Sequence, residues 1–225
     1  MPDSESRRII RYRKWFLYAY LLLAAIAFIW LAFSARGANG FPVDWTVTRA
    51  LQGFHPIWFD ALMRVVSLLG YNPQASVLYS LIVLFLYRTS WRWEAIVAGS
   101  GVLVAHGFNL AVKALINRPR PPAESVQVVV HLHDPGFPSG HVLTYVAFYG
   151  FLWFLCYVLI RHSWRRTAFL ILLAGLVLLV GPSRVYQGEH WFTDVVGGYL
   201  LASVILAAII RVYQWGKGRF LKNAA

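Results

Sequence analysis

Residues 176–206 read LVLLVGPSRVYQGEHWFTDVVGGYLLASVIL, in which a polar segment separates two apolar runs. The polar segment contains Arg184, His190 and Asp194. Ionisable side chains beside a hydrocarbon phase are energetically costly, so they indicate a functional site by default. The stretch therefore predicts two membrane helices that meet at a polar site on one face of the bilayer.

The rest of the chain has the composition of a membrane protein. Of its 225 residues, 59% are hydrophobic and 13% are charged, and the mean hydropathy is +0.56. A helix needs about 20 apolar residues to cross the hydrocarbon core. The shorter runs reach that length only with their flanks, and a buried soluble core is their alternative interpretation. We predict an all-α bundle with six transmembrane helices, at residues 15–33, 74–87, 95–112, 142–160, 167–180 and 195–210.

The distribution of basic residues predicts the orientation of this bundle. The formal net charge is +12, and most of the 21 Lys and Arg lie in the tail 1–14, in two loops on the same side, and at the C-terminus. By the positive-inside rule, that side and both termini are cytoplasmic. No cleavage pattern follows the first apolar run, which we expect to remain as a span. The charge therefore indicates topology and contact with anionic lipid, not a nucleic-acid partner.

We expect residues 1–225 to form a single membrane domain with a catalytic core at 95–210, because no repeat or long linker divides the chain. Residues 37–72 contain two segments with helical periodicity. They are predicted to be short helices at the membrane interface, or helices packed against the spans. Cys156 is the one cysteine, so no disulfide is expected within the chain.

In the six-span arrangement, four helix ends meet at the outer face and bring Lys113, Arg120 and Arg184 together. Three cations with few acidic residues nearby indicate an anionic ligand. Ser139 and Gly140 precede an apolar run, and the N-terminus of a helix favours phosphate through its unpaired N–H groups and its dipole. The sequence therefore predicts a site for a tetrahedral phosphate group.

Two histidines supply the chemistry that such a site needs. His190 and Asp194 are spaced i, i+4, which puts them on one face if the last helix begins near Glu189. A carboxylate on one ring nitrogen fixes the tautomer and leaves the other nitrogen able to attack phosphorus. His141 arrives from a different helix and is the candidate proton donor to the leaving oxygen.

Three motifs carry a family resemblance. The first is a Lys followed after six residues by Arg-Pro, from Lys113 to Pro121; the second is PSGH at 138–141. The third is Ser-Arg, five residues, His, three residues and Asp, from Ser183 to Asp194. Over 113–194 the chain resembles the type 2 phosphatidic acid phosphatase family, the membrane branch of a superfamily shared with bacterial acid phosphatases and vanadium haloperoxidases.

The resemblance implies a role for each motif residue. It implies that His190 forms a phosphohistidine, that Asp194 orients it, and that His141 acts as general acid and then activates water. It implies neither a metal nor another cofactor. The residues that it implies for holding the phosphoryl oxygens are Lys113, Arg120, Ser139, Gly140 and Arg184.

Several polar residues outside these motifs have open roles. His131 and His133 alternate like a metal-binding pair, but an outer loop that shapes substrate entry is the favoured interpretation. His106 and Asn109 are expected to be satisfied inside the bundle, with support of the site as the alternative. Arg118 is assigned either to the anion site or to lipid headgroups. Glu189 is expected to point away from the phosphate and to cap the last helix.

The predicted activity is hydrolysis of a lipid phosphate or diphosphate at the outer face of the membrane. We expect an integral protein of the bacterial inner membrane with its site facing the periplasm or exterior. Undecaprenyl diphosphate or a broad lipid phosphatase activity is favoured, and phosphatidylglycerophosphate and phosphatidic acid are the other candidate substrates. A phosphotransferase of the same architecture is the alternative, and a transporter is a weaker one, because charges in transporters more often lie near the bilayer midplane. The sequence leaves the oligomeric state open.

Overall fold

A computed structural model of the chain describes residues 4–220, and it describes side chains at positions 12–219 apart from Arg13. Four arginine side chains of the predicted basic tail and Lys222 lie outside this part. Within it, every regular element is helical, which confirms the all-α prediction. The elements are α1 Ser4–Ala35, α2 Pro42–Gln52, α3 Ile57–Leu68, α4 Gln74–Arg88, α5 Arg92–Ile116, α6 Gly140–Tyr145, a π-helical turn Val146–Gly150, α7 Phe151–Leu159, α8 Trp164–Tyr186 and α9 Phe192–Phe220.

All six predicted runs are helical, but they differ in length. Among residues 4–220, five helices are long and apolar enough to cross a membrane. The sixth, α4, has 15 residues; at about 1.5 Å per residue it is shorter than the roughly 30 Å hydrocarbon core. The five long segments are Lys14–Ala35, Arg92–Ile116, Gly140–Leu159, Trp164–Tyr186 and Phe192–Arg219.

The continuous helix Gly140–Leu159, formed by α6, the π turn and α7, is the central element of the bundle. In its apolar window 61% of residues are buried, against 17% in the first span. Tyr145, Phe148 and Phe151 are fully enclosed, and α5, α8 and α9 pack around them. The residues at the start of α6 are therefore held by neighbouring helices on several sides.

Both segments predicted for the interface are helices, α2 and α3, and both pack against α8. The inner face of α2 is polar, because Asp44, Thr48 and Gln52 are buried there. The outer side of α3 leaves Ile57 and Trp58 exposed. The structure thus agrees in part with both interpretations. The inner faces of α2 and α3 pack against the spans, and the exposed aromatic edge of α3 has the character of an interfacial helix.

Candidate active site

The structure brings the predicted site residues together where α5 and α8 end and α6 and α9 begin. A cavity of about 400 Å³ opens at this level. Its walls include five of the predicted residues, namely Lys113, Arg120, Gly140, His141 and His190. Ser139, Arg184 and Asp194 are fully buried next to them.

Arg120 returns to the cavity because α5 stops abruptly. Asn117 adopts a left-handed conformation with φ 48°, and its N–H donates to the Lys113 carbonyl at 2.9 Å. Pro119 and Pro121 cannot continue a helix, so the chain turns. The Arg120 Nη1 then lies 3.3 Å from His190 Nε2, which confirms the predicted direction of this side chain.

Ser139 and Gly140 occupy the start of α6, as predicted. Ser139 is the residue immediately before the helix, and its N–H donates to the Asp194 carbonyl at 3.1 Å, which ties α6 to α9. The Ser139 Oγ is buried and has no hydrogen-bond partner in the described part of the chain. The N–H groups of a first helical turn lack intrahelical acceptors, so this corner presents donors suited to phosphoryl oxygens.

Arg184 is fully buried and only partly paired. Its Nη1 donates to Glu189 Oε2 at 2.9 Å and lies 3.3 Å from His141 Nε2. The Nε and Nη2 atoms have no partner among residues 4–220. Buried guanidinium donors are costly without acceptors, and a phosphoryl group offers two oxygens in the matching geometry.

The His190 ring has different neighbours at its two nitrogens. Nδ1 lies 3.5 Å from Asp194 Oδ2, longer than an ordinary hydrogen bond, whereas Nε2 faces Arg120. The helix α9 begins at Phe192, later than predicted, because Asp194 Oδ2 accepts the Trp191 N–H at 2.9 Å and caps the first turn. His190 therefore precedes the helix, yet its Nδ1 still points to the carboxylate.

Burial favours the neutral form of His190. It lowers the pKa of His190 well below the ordinary value, and the positive charges of Arg120, Lys113 and Arg184 lower it further. The neutral ring with its proton on Nδ1 has a lone pair on Nε2, which is the form that can act as a nucleophile.

The prediction for Glu189 is wrong. Its carboxylate is buried, accepts from Arg184 and accepts the Tyr71 hydroxyl. Gly188, with φ 68°, reverses the chain, so that the Glu189 N–H donates to the Arg184 carbonyl. A buried carboxylate needs a cation, and Arg184 provides it. Burial raises the pKa of Glu189, while Arg184 and Tyr71 oppose that increase.

Arg118 belongs neither to the anion site nor to the lipid-facing surface. It is fully buried and lies between two carboxylates, with Nη2 donating to Asp44 Oδ2 at 2.7 Å and Nη1 donating to Asp194 Oδ1 at 2.5 Å. Nη1 also donates to Thr193 Oγ1 at 2.7 Å. Arg118 therefore supports the carboxylate that faces His190.

The remaining polar residues singled out in the sequence differ in their exposure. His131 and His133 are exposed, and the described residues contain no group of three His, Cys, Asp or Glu that could hold a metal ion. His106 was expected inside the bundle but is exposed and lines the cavity. Asn109 is buried against Gly140, where an added Cβ would lie 2.8 Å from Asn109 Nδ2.

Sequence reasoning missed three residues. Asp44 had a signal, since it is a lone carboxylate in an apolar segment. Asp134 lies just before the PSGH motif, in a loop without a recognised pattern. The sequence gives no signal for Tyr71. Its ring nevertheless lies 4.8 Å from the Arg184 guanidinium carbon and contacts the His141 ring edge-on, with 5.4 Å between the ring centroids.

Comparison with known proteins places the chain in a family. Residues 94–217 match the PAP2 superfamily. The chain is 30% identical to phosphatidylglycerophosphatase B of Bacillus subtilis over 175 residues, which cover 72% of this chain and 79% of that protein. It is 26% identical to undecaprenyl-diphosphatase BcrC of the same organism over 170 residues, covering 72% and 80%.

Solved structures share the fold. The crystal structure of a transmembrane PAP2 type phosphatidylglycerolphosphate phosphatase from Bacillus subtilis superposes with a TM-score of 0.73 at 23% identity, covering 86% of this chain and 96% of that one. Aquifex aeolicus LpxE gives a TM-score of 0.62 at 20% identity, covering 77% and 98%.

The apolar helices and the cluster of cations and histidines at their ends define an integral membrane phosphatase. The family match covers more than half of the chain and includes all three motifs. The chain belongs to the PAP2 superfamily.

A first prediction concerns Arg118. Arg118→Ala leaves two buried carboxylates without a counter-charge, and breaking a buried ion pair in this way costs about 3–5 kcal/mol. We expect a large fall in the unfolding temperature in detergent and loss of turnover. Arg118→Lys keeps the charge but cannot bridge both carboxylates, so it should be intermediate. Arg36→Ala removes an exposed arginine as the control; equal stability of the two alanine variants would contradict this role.

A second prediction concerns pH. Because the pKa of His190 is lowered in the folded protein, the ring stays deprotonated until the pH falls well below about 6.5, the ordinary value. Phosphoenzyme formation from an aryl phosphate, whose leaving group needs no protonation, should keep its rate from pH 8 to 6.5. A rapid-quench series measures this. An unperturbed histidine would lose about half of its nucleophilic form at pH 6.5, and that result would refute the assignment.

Proposed function

We propose that the protein hydrolyses the phosphate monoester of a membrane lipid at the outer face, through a phosphohistidine on His190. One observation carries the proposal: the unpaired donors of Arg184 and the Nε2 side of His190 lie at the same end of the bundle. A nucleophile and acceptor-seeking cations at one place suit transfer of a phosphoryl group.

In the first step, His190 Nε2 attacks phosphorus and the bond from phosphorus to the lipid oxygen breaks. His141 donates a proton to that oxygen, and the lipid leaves as an alcohol. Asp194 faces Nδ1 and stabilises the positive charge that develops on the His190 ring. Lys113, Arg120 and Arg184 stabilise the charge on the phosphoryl oxygens, which accounts for their convergence.

In the second step, water attacks the phosphohistidine. His141, now deprotonated, accepts a proton from the water, the bond from phosphorus to Nε2 breaks, and inorganic phosphate forms. The proton that His141 gave in the first step is thus restored. His190 is the nucleophile in the first step and the leaving group in the second, and His141 alternates between acid and base.

The distribution of charge supports the outer location of the site. The cavity lies at the start of α4 and α6, along the last turns of α5 and beside His190, which precedes α9. At the opposite ends are the basic residues Arg88, Arg92, Arg161, Arg165, Arg166, Arg211, Lys217 and Arg219. The positive-inside rule assigns that end to the cytoplasm. We propose that α4 completes a six-span plan with the help of its flanks and that both termini are cytoplasmic.

The lining of the cavity favours one of the candidate lipids. Beyond the phosphate-binding residues and the two histidines of the mechanism, its polar walls contain no further Lys or Arg among the described residues; they are Asn72, Ser76, Tyr79, His106, Asn109, Asp134 and Thr144. A diphosphate would place a second highly charged phosphate next to the reacting one, where a further Lys or Arg would be needed. A glycerol phosphate places a hydroxyl there. We therefore propose phosphatidylglycerophosphate ahead of undecaprenyl diphosphate.

A third prediction separates the two histidines, in buffer containing EDTA. His190→Ala should abolish both turnover and the acid-labile phosphoenzyme. His141→Ala should still form phosphoenzyme from an aryl phosphate, but it should slow a lipid substrate about 10²- to 10⁴-fold, because an alkyl leaving group needs the proton. Asp194→Asn should be intermediate, since the amide favours the wrong tautomer.

The exposed His131→Ala is the matched control and should behave like the unchanged protein. Phosphoenzyme that persists in His190→Ala and disappears in His141→Ala would reverse the two roles. Phosphoenzyme formation that requires added Mg²⁺ would indicate a metal-dependent mechanism.

A fourth prediction concerns the substrate. Purified protein should release inorganic phosphate from phosphatidylglycerophosphate without any acceptor, with a kcat/KM above those for phosphatidic acid and undecaprenyl diphosphate. Asn72→Ala and Ser76→Ala together should reduce that preference about thirtyfold, because two hydrogen bonds at about 1 kcal/mol each contribute about 2 kcal/mol. Phosphate release that needs an acceptor would indicate a phosphotransferase, and faster turnover of the diphosphate would refute the choice of lipid.

A further inference from the structure

A loop carboxylate already binds two of the three cations proposed to hold phosphate. Asp134 Oδ2 accepts from Lys113 Nζ, and Asp134 Oδ1 accepts from Arg120 Nη2 at 2.9 Å. Asp134 lies outside the three motifs, in the connection between α5 and α6. Two charge-assisted contacts from one carboxylate resemble the way a phosphoryl group would be held by the same side chains.

The three cations differ in how many of their donors already have a protein partner. Every nitrogen of Arg120 has a protein partner: Nε donates to the Asp134 carbonyl at 2.8 Å, Nη2 donates to the Asp134 carboxylate, and Nη1 donates to the Glu189 carbonyl. Arg184, in contrast, keeps Nε and Nη2 unpaired within the described chain. Arg184 therefore keeps donors for a phosphoryl group, whereas at Lys113 and Arg120 such a group must exchange with Asp134.

The loop is built so that the carboxylate can leave while the backbone stays in place. The Asp134 side chain is 53% exposed, whereas Gly136 is buried and its N–H donates to the Arg118 carbonyl at 2.8 Å. A Cβ at Gly136 would lie 2.9 Å from Asp194 Oδ2, so the close approach needs glycine. Rotation of one exposed side chain is enough to release Lys113.

The Asp134 carboxylate that contacts Lys113 and Arg120 stays ionised over the working pH range. Partial burial raises the pKa of Asp134, but the hydrogen bond from Lys113 and the charges of Arg120 and Lys113 outweigh it and lower this pKa to about 2. A half-exposed ion pair contributes little stability. The carboxylate therefore competes with phosphate at every relevant pH without preventing its binding.

We propose that Asp134 is an internal ligand of Lys113 and Arg120, which substrate phosphate displaces and which returns as inorganic phosphate leaves. The inference rests on the proposed function, since it takes these cations as the phosphate site. The exchange forms and breaks no covalent bond and moves no proton. Asp134 thus sets the affinity of the site for phosphate and favours release of the product.

The test compares Asp134→Asn with Glu124→Gln in the full chain in detergent at pH 8. Both variants remove one negative charge from the same connection, but Glu124 is exposed and lies outside the contacts of Lys113 and Arg120. Inorganic phosphate is the probe, and its Kd is obtained from the rise in unfolding temperature with phosphate concentration. We expect Asp134→Asn to bind phosphate about fivefold more tightly, the size expected for an exposed ion pair, and Glu124→Gln to bind as the unchanged protein does.

The binding assay is independent of turnover. Tighter binding in Asp134→Asn supports the inference even if no lipid is hydrolysed, in which case the proposed function alone fails. Equal or weaker binding in Asp134→Asn would overturn it, because Asp134 would then merely hold the cations in position. Asp134→Ser is a second variant, and we expect it to show the same gain in affinity for inorganic phosphate. If the unchanged protein and both variants all fail to bind phosphate, the inference and the proposed site fail together.

Discussion

The buried ion network around Arg118 is the interaction on which the site depends. One guanidinium joins Asp44 in α2 to Asp194 in α9, and all three side chains are fully buried. Removing charges from water costs several kcal/mol for each ion, so none of the three is stable there without the others. Because Asp194 also caps α9 and faces His190, the same network fixes a helix start and the nucleophile.

Two other carboxylates balance the cations of the cavity in different ways. Glu189 is buried and accepts from one nitrogen of Arg184, while Nε and Nη2 of Arg184 have no partner in the described chain. Asp134 is half exposed and holds Lys113 and Arg120. Burial decides the difference, since an enclosed carboxylate cannot leave its cation, whereas an exposed one can exchange with a competing anion.

The motif residues were predictable because their arrangement follows from local rules. Apolar runs indicate helices, and Ser139 and Gly140 necessarily lie where one of those helices begins. The errors occurred where side-chain direction depends on distant residues. Glu189 was expected to point away from the phosphate but turns inward to Arg184, and Arg118 was assigned to the surface or the anion site but is enclosed by carboxylates. His106 was expected in the interior but lines the cavity.

The sequence by itself determined the helical runs, the end of the bundle where polar residues collect and the eight residues that meet there. These depend on hydrophobicity and spacing, which are properties of neighbouring positions in the chain. Only the tertiary structure decided which charges pair. Asp44 and Arg118 are 74 positions apart, and Tyr71 and Glu189 are 118 positions apart. Such pairs form because packing of the helices removes water between them, and no local pattern specifies which buried cation will face which carboxylate.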